Sequence, residues 1–285
     1  RRTVNPQVPG SSPGGGAKAA ILRLFLFPYF VMMSASCSTI RLRRLNMDNS
    51  WEIHWGEERI LLDPWLIGPE IDGFKQFNMQ WLSEPAVALD QISEPNRIVI
   101  SQPYSDHCHE LTLNEMPSSA NIEGVDRAIK RLTKQGFSNV GAIGDFNLSL
   151  KVTVMRPYKA KPPLYEAIVI SWNNDFIFYA PHGFDLHPSQ LETFRDKTCR
   201  LLITTFTDFR LPFFLGGVIN PGANAALRLA QQLGAEYVTN THDDAKPGRG
   251  LVLKLAKVEY PNWDTIVFSA PQKRLVAENY DWMEI

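Results

Sequence analysis

The stretch RIVISQPYSDHCHE, residues 97–110, joins a short apolar run to a polar loop that contains one aspartate and two histidines. The run at 97–101 has the composition of a buried strand, since Ile and Val favour extended backbone between packed layers. It leads the chain directly into Asp106-His107. Loops after buried strands are where α/β proteins assemble sites from distant parts of the sequence. This loop is therefore the first candidate for a functional site.

Two further histidines stand at the same kind of position. His182 follows the strand candidate DFIFYA (175–180), and His242 ends the strand candidate AEYVTNTH (235–242). Imidazole and carboxylate groups are ordinary ligands of Zn²⁺ and Fe²⁺. These histidines, together with His107 and the aspartate before it, indicate a metal site built at the ends of strands.

The chain from residue 46 onwards consists of short strand and helix patterns. SWEIHW (50–55) alternates apolar and polar residues, and RILLDPWL (59–66) follows after a turn, so the two predict a hairpin. Helical spacing appears at 124–136 and 222–234, each ending at a glycine. Further strands are predicted at 139–143, 148–155, 165–172, 200–206 and 264–270, with helices at 188–197 and near 250–258. Strands that alternate first with strands and later with helices predict a mixed α/β protein with helices outside two sheets.

Four of these segments, in this order, resemble the metallo-β-lactamase superfamily, and within it the stand-alone hydrolases related to the ascorbate-6-phosphate lactonases. SWEIHWGEERILLDPWL (50–66) is similar to the opening strands of that family, and ISQPYSDHCHELTL (100–113) to its metal-binding loop. IFYAPHG (177–183) is similar to the strand that ends in its bridging-ligand motif, and VTNTHDD (238–244) to its last histidine loop. The resemblance implies an αββα sandwich of two mixed β-sheets flanked by helices.

The loop departs from the family pattern, which reads His-x-His-x-Asp-His. When Asp106-His107 is aligned with its last two residues, Gln102 and Tyr104 replace the first two histidines. The third ligand of the first metal is expected near residues 156–158, where the sequence is Arg-Pro-Tyr. The resemblance therefore implies that the first of the two metal sites is lost.

The second metal site is better preserved. Its bridging aspartate falls near Pro181-His182, and an imidazole can serve one cation only, whereas a carboxylate can bridge two. The expected cofactor is accordingly one Zn or Fe ion. Its expected ligands are Asp106, His107, His182 and His242.

The expected function is a metal-dependent hydrolase acting on a small-molecule substrate that is an ester, a lactone or a phosphoester. A metal ion lowers the pKa of a bound water and polarises a carbonyl or phosphoryl oxygen. The candidate catalytic residues are Asp106, Asp185 and Asp243, of which the last two are possible proton acceptors. Two alternatives stay open: a catalytically silent binding or scaffold protein of the same fold, and a mononuclear iron oxidoreductase.

Four residues or segments near these motifs have competing interpretations. Asp63, at the end of a strand, either orients a ligand histidine or caps its turn. Cys108 lies between two histidines and is a candidate nucleophile, but a buried, inert thiol is favoured. His109 is expected at the surface or behind a ligand. DFRLPFFLGG (208–217) either lines an apolar pocket or lid or, as is favoured, packs in the core.

Residues 1–45 are set apart from the domain predicted at 46–285. The leader contains seven basic residues and no Asp or Glu, which fits a disordered segment, a targeting peptide, or upstream-translated sequence before Met32 or Met33. Its apolar part at 19–33 contains an arginine and a proline and is shorter than the roughly 20 residues of a membrane-spanning helix. No membrane span is therefore predicted.

The charge of the remaining chain argues against a nucleic-acid partner. Without the leader, 22 of the 29 basic residues remain against 30 acidic ones, a net charge of −8. Nucleic-acid binding depends on clustered Lys and Arg, which the body lacks. Three scattered cysteines do not form a disulfide framework. The expected compartment is the cytoplasm, or a plastid or mitochondrion if the leader is a transit peptide.

Overall fold

The computed structural model describes residues 39–158 and 165–285. Over these residues the chain forms nineteen strands and five α-helices. The strands are β1 (Ile40–Arg44), β2 (Trp51–Trp55), β3 (Glu58–Leu62), β4 (Glu70–Asp72), β5 (Asn78–Gln80), β6 (Arg97–Ile100), β7 (Asn121–Gly124), β8 (Val140–Ala142), β9 (Lys151–Met155), β10 (Ala167–Trp172), β11 (Asp175–Ala180), β12 (Thr198–Thr204), β13 (Asp208–Arg210), β14 (Val218–Pro221), β15 (Tyr237–Asn240), β16 (Gly248–Arg249), β17 (Lys257–Glu259), β18 (Lys273–Arg274) and β19 (Met283–Glu284). The helices are α1 (Glu110–Asn114), α2 (Asp126–Lys134), α3 (Pro188–Leu191), α4 (Ala223–Leu233) and α5 (Leu251–Leu255).

A seven-stranded sheet, ordered β19-β1-β2-β3-β6-β7-β8, forms the first layer. Its strands from β19 to β3 are antiparallel, and those from β3 to β8 are parallel. The predicted hairpin is confirmed as β2–β3, and it turns at Gly56 with φ of 61°. Only glycine adopts this conformation without a steric cost. A Cβ at this position would also lie 2.7 Å from the Trp172 ring.

A six-stranded sheet, ordered β18-β15-β12-β11-β10-β9, forms the second layer. Antiparallel pairing joins β9, β10 and β11, and parallel pairing joins β11, β12, β15 and β18. Side chains alternate between the two faces of a strand. In β11, Ile177 and Tyr179 belong to one hydrophobic core, whereas Phe176 and Phe178 belong to another. This sheet is therefore covered on both faces.

The two hydrophobic cores show how the layers are stacked. The first core contains Ile53 of the seven-stranded sheet and Ile170 of the six-stranded sheet, so these sheets pack face to face. The second core joins the other face of the six-stranded sheet to Leu229 of α4. Helix α2 packs against β7 and β8 through buried Leu132. The predicted sandwich of two mixed sheets flanked by helices is confirmed.

Two three-stranded sheets, β14-β13-β17 and β16-β5-β4, lie outside these two layers. Phe209 of β13 and Val258 of β17 line one cavity together with Glu70 of β4 and Asn78 of β5. The small sheets thus provide walls for the site described below.

The structure corrects the predicted domain boundary at residue 45. Residues 40–44 form β1, which pairs with both β2 and β19, and Ile40, Leu42 and Leu45 are completely buried. The basic residues that suggested a leader are accommodated here because their side chains have partners, such as the Trp51 ring beneath the guanidinium of Arg44. The part of the predicted leader at residues 1–38 lies outside the described residues.

The predicted strand at 264–270 is wrong. This segment has no regular secondary structure, although Ile266 and Phe268 pack against the second core. Alternating apolar residues report burial on one side of the chain, and burial does not require a hydrogen-bonded neighbour.

Within 39–158 and 165–285, no helix combines the length and the apolar character that crossing a membrane demands. The apolar stretch at 19–33 lies outside the described residues.

Candidate metal centre

Three histidines from separate strand ends meet at one point. His107 follows β6, His182 follows β11 and His242 follows β15. The Nε2 atoms of His107 and His182 are 3.1 Å apart, and the ring of His242 lies 5.3 Å and 4.7 Å from those of His107 and His182. One ligand atom from each of the three lies within 4.8 Å of the others. The structure thus brings together the three histidines that the sequence singled out.

Asp106 lies beside this group. Its Oδ2 is 3.7 Å from Nε2 of His107 and 3.6 Å from Nε2 of His242. Burial raises the pKa of Asp106, but the His107 and His242 rings more than offset burial and lower it to about 2. Asp106 is therefore a carboxylate at neutral pH and supplies the negative charge of the group.

Asp63 holds His107 from behind. Its Oδ2 is 2.7 Å from Nδ1 of His107, and it also accepts hydrogen bonds from the hydroxyls of Tyr179 and Ser101, at 2.7 Å and 2.5 Å. Because a carboxylate only accepts, Nδ1 carries the proton, and the lone pair of Nε2 points away from Asp63. Of the two interpretations of Asp63, the geometry supports orientation of the histidine.

Asn220 of β14 orients the His182 ring through a hydrogen bond to Nδ1. Its Oδ1 lies 2.8 Å from Nδ1 of His182. The proton of His182 is therefore on Nδ1, and its Nε2 lone pair faces Nε2 of His107. Burial lowers the pKa of His182 well below its ordinary value, and the neighbouring His242 and His107 lower it further. His182 is therefore neutral, which is the form in which imidazole binds metals.

His242 is positioned by Asp48 and by its own backbone. Its φ is 58°, its backbone N–H donates to the carbonyl of Asp48 at 2.7 Å, and its Nδ1 lies 3.0 Å from Asp48 Oδ1. This last contact is close but poorly aligned for a hydrogen bond. Lys246 donates to the other carboxylate oxygen of Asp48 at 2.6 Å. Burial raises the pKa of Asp48, but His242 and Lys246 more than offset burial and hold that pKa below its usual range.

The charges around the histidines favour a cation between them. Burial lowers the pKa of His107, yet the carboxylates of Asp106 and Asp63 outweigh burial and raise it to about 9. Two imidazole lone pairs at 3.1 Å repel each other unless a proton or a metal ion lies between them. Three imidazoles and one carboxylate are a donor set that suits Zn²⁺ or Fe²⁺. The residues present therefore fit a metal ion.

The positions where the family pattern has further histidines hold other groups. Gln102 is buried and donates its amide to the backbone carbonyl of Glu166 at 2.9 Å. Tyr104 lies against Tyr165, with ring centroids 6.1 Å apart. Tyr158 is exposed and stacks on the ring of His187. In the parts of the chain that the structure describes, the residues that could hold a metal ion form two clusters, one of His107, His182 and His242 and one of Asp48, Asp106 and His242.

The structure does not bring Asp185 and Asp243 to the cavity. Asp185 is exposed. Asp243 accepts hydrogen bonds from the Thr205 hydroxyl at 2.7 Å and from the backbone N–H groups of Phe206 and Thr207, both at 2.9 Å. Its carboxylate therefore fixes the turn after β12. Each of the two residues lies close in sequence to one of the three histidines, but consecutive side chains point in different directions.

Cys108 and His109 have structural environments. Cys108 is buried, and burial raises the pKa of its thiol to about 12, so it stays protonated and unreactive. His109 is the N-cap of α1 and accepts a hydrogen bond from the backbone N–H of Thr112. Neither residue belongs to the metal centre.

The cavity at the metal centre has a volume of about 280 Å³ and reaches Asp106, His182 and His242. Leu211 and Leu215 line it, while Phe213 is 95% exposed. The favoured core interpretation of 208–217 is therefore wrong, and the alternative as a pocket wall fits. A larger cavity of about 550 Å³ lies beside β8 and β9 and contains none of the three histidines.

Four functional groups were not found from the sequence. Asp48, Asn220 and Lys246 contact the histidines or each other, and Glu70 lines the cavity. Burial, together with the neighbouring Asp106 carboxylate, raises the pKa of Glu70 to about 7. None of the four adjoins a recognisable motif, so only proximity in space reveals them.

Comparisons with known proteins agree on the fold. No protein-family model and no curated protein matches the sequence. Among solved structures, the chain is similar to the metallo hydrolase Igni18 from the archaeon Ignicoccus hospitalis (TM-score 0.55, 15% identity, 87% of this chain and 98% of that one). It is also similar to the metallo-β-lactamase fold protein YhfI from Bacillus subtilis (TM-score 0.53, 13% identity, 86% and 99%). An isothiocyanate hydrolase from Delia radicum gut bacteria has a TM-score of 0.54 and 16% identity over 71% of this chain and 84% of that one. The chain therefore has the metallo-β-lactamase fold.

Proposed function

We propose that this chain is a metal-dependent hydrolase of a small ester, lactone or phosphoester, and that it uses one Zn or Fe ion. The observation that carries the proposal is the contact of 3.1 Å between Nε2 of His107 and Nε2 of His182. Both Nδ1 atoms are already bound, to Asp63 and to Asn220, so the two Nε2 atoms face each other across the same space, where a metal ion would displace the proton that His107 carries there. With His242, and with Asp106, whose Oδ2 lies 3.6 Å from Nε2 of His242, these histidines would hold the ion.

The proposal of a single ion rests on what replaces the other ligands. Gln102 and Tyr104 stand where the metallo-β-lactamase pattern has histidines, and the amide of Gln102 is engaged with backbone. A neutral imidazole, His182, stands in the place of the bridging carboxylate. The order of the loops supports a relationship to the ascorbate-6-phosphate lactonase branch, with a degenerate metal-binding loop.

The ion would supply Lewis acidity, which lowers the pKa of water and polarises a carbonyl or phosphoryl oxygen. The chain itself keeps the ligands in the binding form, since Asp63 and Asn220 hold protons on the Nδ1 atoms. Lys246 matches the buried charge of Asp48 at 2.6 Å. Glu70 lines the cavity with a pKa of about 7 and is the candidate for moving a proton, in place of Asp185 and Asp243.

Metal analysis of protein purified without added metal or chelator tests this proposal. About one Zn or Fe per chain is expected, as in sites with three or four protein ligands. About two ions per chain would overturn the single-ion site. Absence of metal, together with no hydrolysis of esters, lactones or phosphoesters, would overturn the proposed enzymatic function and favour a catalytically silent scaffold protein.

Variants of the expected metal ligands test whether the ion binds at the proposed site. His107→Ala and His242→Ala are each expected to lower metal content together with any hydrolase activity, because each removes a ligand. Gln102→Ala and Tyr104→Ala serve as controls in the same loop and should keep the metal. Full metal content in both folded histidine variants would show that the ion binds elsewhere.

A further inference from the structure

We infer that the substrate is a neutral carboxylic ester or lactone bearing a short apolar chain, and not a phosphoester. This inference rests on the proposed hydrolase function and concerns the walls of the same cavity.

The apolar wall begins directly at the metal centre. In the sheet β14-β13-β17, Phe209 pairs with Asn220 on one side and with Val258 on the other. Residues directly opposite each other in a sheet present their side chains on the same face. All three line the cavity, and Asn220 is the residue that holds His182. A group bound near His182 therefore meets Phe209 and Val258.

A β-bulge extends this wall. Phe209 pairs with Asn220 and Arg210 with Val218, so Ile219 is an extra residue in β14. Such bulges redirect side chains, and both Ile219 and Asn220 line the cavity. The same strand thus contributes a polar anchor for the histidine and an apolar contact for the substrate.

Further apolar residues continue this wall. Leu211 and Leu215 come from the loop between β13 and β14, and Val252 comes from α5. The cavity volume of about 280 Å³ lies at the small end of ligand pockets, which hold roughly 300–1,000 Å³. A compact substrate with an aliphatic or aromatic group fits these walls.

The charged residues of the cavity argue against a phosphate group. Its acidic lining residues are Glu70, Asp72, Asp106 and Asp244. Apart from the histidines, Lys246 is the one basic side chain among the described lining residues, and Asp48 already pairs with it at 2.6 Å. Phosphate sites in proteins are built from Arg, Lys and clustered backbone N–H groups. A metal ion attracts carbonyl and phosphoryl oxygens alike, so the walls decide between them.

The test compares p-nitrophenyl acetate, butyrate and hexanoate with p-nitrophenyl phosphate. For the esters, kcat/KM is expected to rise about three- to fourfold for each methylene that becomes buried. The phosphate should be the poorest of the four. Binding of butanamide, hexanamide and phenyl phosphate, measured by ligand-observed NMR, gives a readout that does not depend on turnover, and hexanamide should bind best.

Two variants in the loop between β13 and β14 test whether the preference for longer esters depends on the apolar wall of the cavity. Leu215→Ser should reduce the preference for hexanoate over acetate several-fold, because it places a hydroxyl in the apolar wall. Phe213→Ser is the matched control, since Phe213 is exposed and does not line the cavity. If the two variants change the preference for hexanoate over acetate equally, Leu215 does not contact the acyl chain of the substrate, and the inference is overturned.

The outcomes separate this inference from the proposed function. If the protein hydrolyses the phosphate in preference to the esters, and His107→Ala abolishes this activity, the proposed metal-dependent hydrolase is supported and the inference of an apolar ester substrate is overturned. Chain-length-dependent binding of the amides without hydrolysis of any substrate would uphold the apolar site and overturn the hydrolase. Preferential binding of phenyl phosphate over hexanamide would overturn the inference by itself.

Discussion

His107 and His182 show how a single hydrogen bond decides what an imidazole can do. Each ring is buried, and each Nδ1 proton is held by one acceptor, Asp63 or Asn220. The remaining nitrogen of each ring is thereby left free to bind a cation. At the scale of the residue, the metal centre therefore depends on the partners of the histidines as much as on the histidines.

Asp63→Asn tests this dependence. The amide has the same shape but carries no charge and can present its NH₂ to the ring, so His107 loses its fixed tautomer. Metal affinity is expected to fall by about 10- to 100-fold. Titration of Zn²⁺ against a competing chelator measures this change. Asp185→Asn is the control, and a similar loss there would contradict the assignment of the two aspartates.

Asp48→Asn tests the buried pair with Lys246. The side chain of Asp48 is 1% exposed and that of Lys246 9%, and their charged groups are 2.6 Å apart. Removing one partner leaves a buried ammonium uncompensated, which destabilises proteins by about 3–5 kcal/mol. Urea denaturation should show this loss in the free energy of unfolding. The double variant Asp48→Asn/Lys246→Met should recover much of it, and failure to recover would point to another role for Asp48.

At the scale of elements, β1 illustrates how composition can conceal a strand. Its sequence IRLRR holds three of the seven basic residues that suggested a leader, yet Ile40 and Leu42 are completely buried and Arg41 and Arg43 lie beside the Trp282 ring. In the sheet, β1 pairs with β2, the next strand in sequence, and with the distant β19. The strand is thus fixed by its pairing.

Two deletions separate β1 from the residues before it. Removal of 1–32 is expected to leave the melting temperature nearly unchanged, since the strands and cores described here begin later in the chain. Removal of 1–45 should abolish cooperative unfolding, because it exposes the edge of β2 and deletes three buried apolar side chains. Thermal melts of both variants make the comparison, and a large drop for the shorter deletion would show that 1–32 packs on the domain.

At the scale of the whole molecule, the metal centre links segments that are far apart in sequence. Asp48 precedes β2, His107 follows β6, His182 follows β11 and His242 follows β15. An ion held by the last three would bind only the folded chain, so its binding free energy adds to the stability of the fold.

Chelation should therefore destabilise the whole domain. With free Zn²⁺ at a hundred times its Kd, the added stability is about 2.7 kcal/mol. Calorimetry of the natural sequence should give a higher melting temperature with Zn²⁺ than with EDTA. His242→Ala should melt at the same temperature in both conditions. If the melting temperature of His242→Ala differs between Zn²⁺ and EDTA as much as that of the natural sequence, the stabilising ion binds at a different site.

The sequence by itself determined several of the local elements and the class of fold. The hairpin β2–β3, the helices α2 and α4 and the strand that leads into Asp106-His107 were all predicted, because hydrophobic periodicity and glycine ends are local signals. The position of histidines after strands was enough to anticipate that His107, His182 and His242 meet.

Only the tertiary structure decided which groups surround these histidines. Asp48, Asn220 and Lys246 lie outside every motif, and Asp243, which adjoins His242 in sequence, turns out to fix a turn. The apolar wall likewise follows from strand register, which places Phe209 opposite Asn220. Side-chain direction and pairing between distant segments are set by packing of the whole chain, and a linear pattern of residues carries no direct record of them.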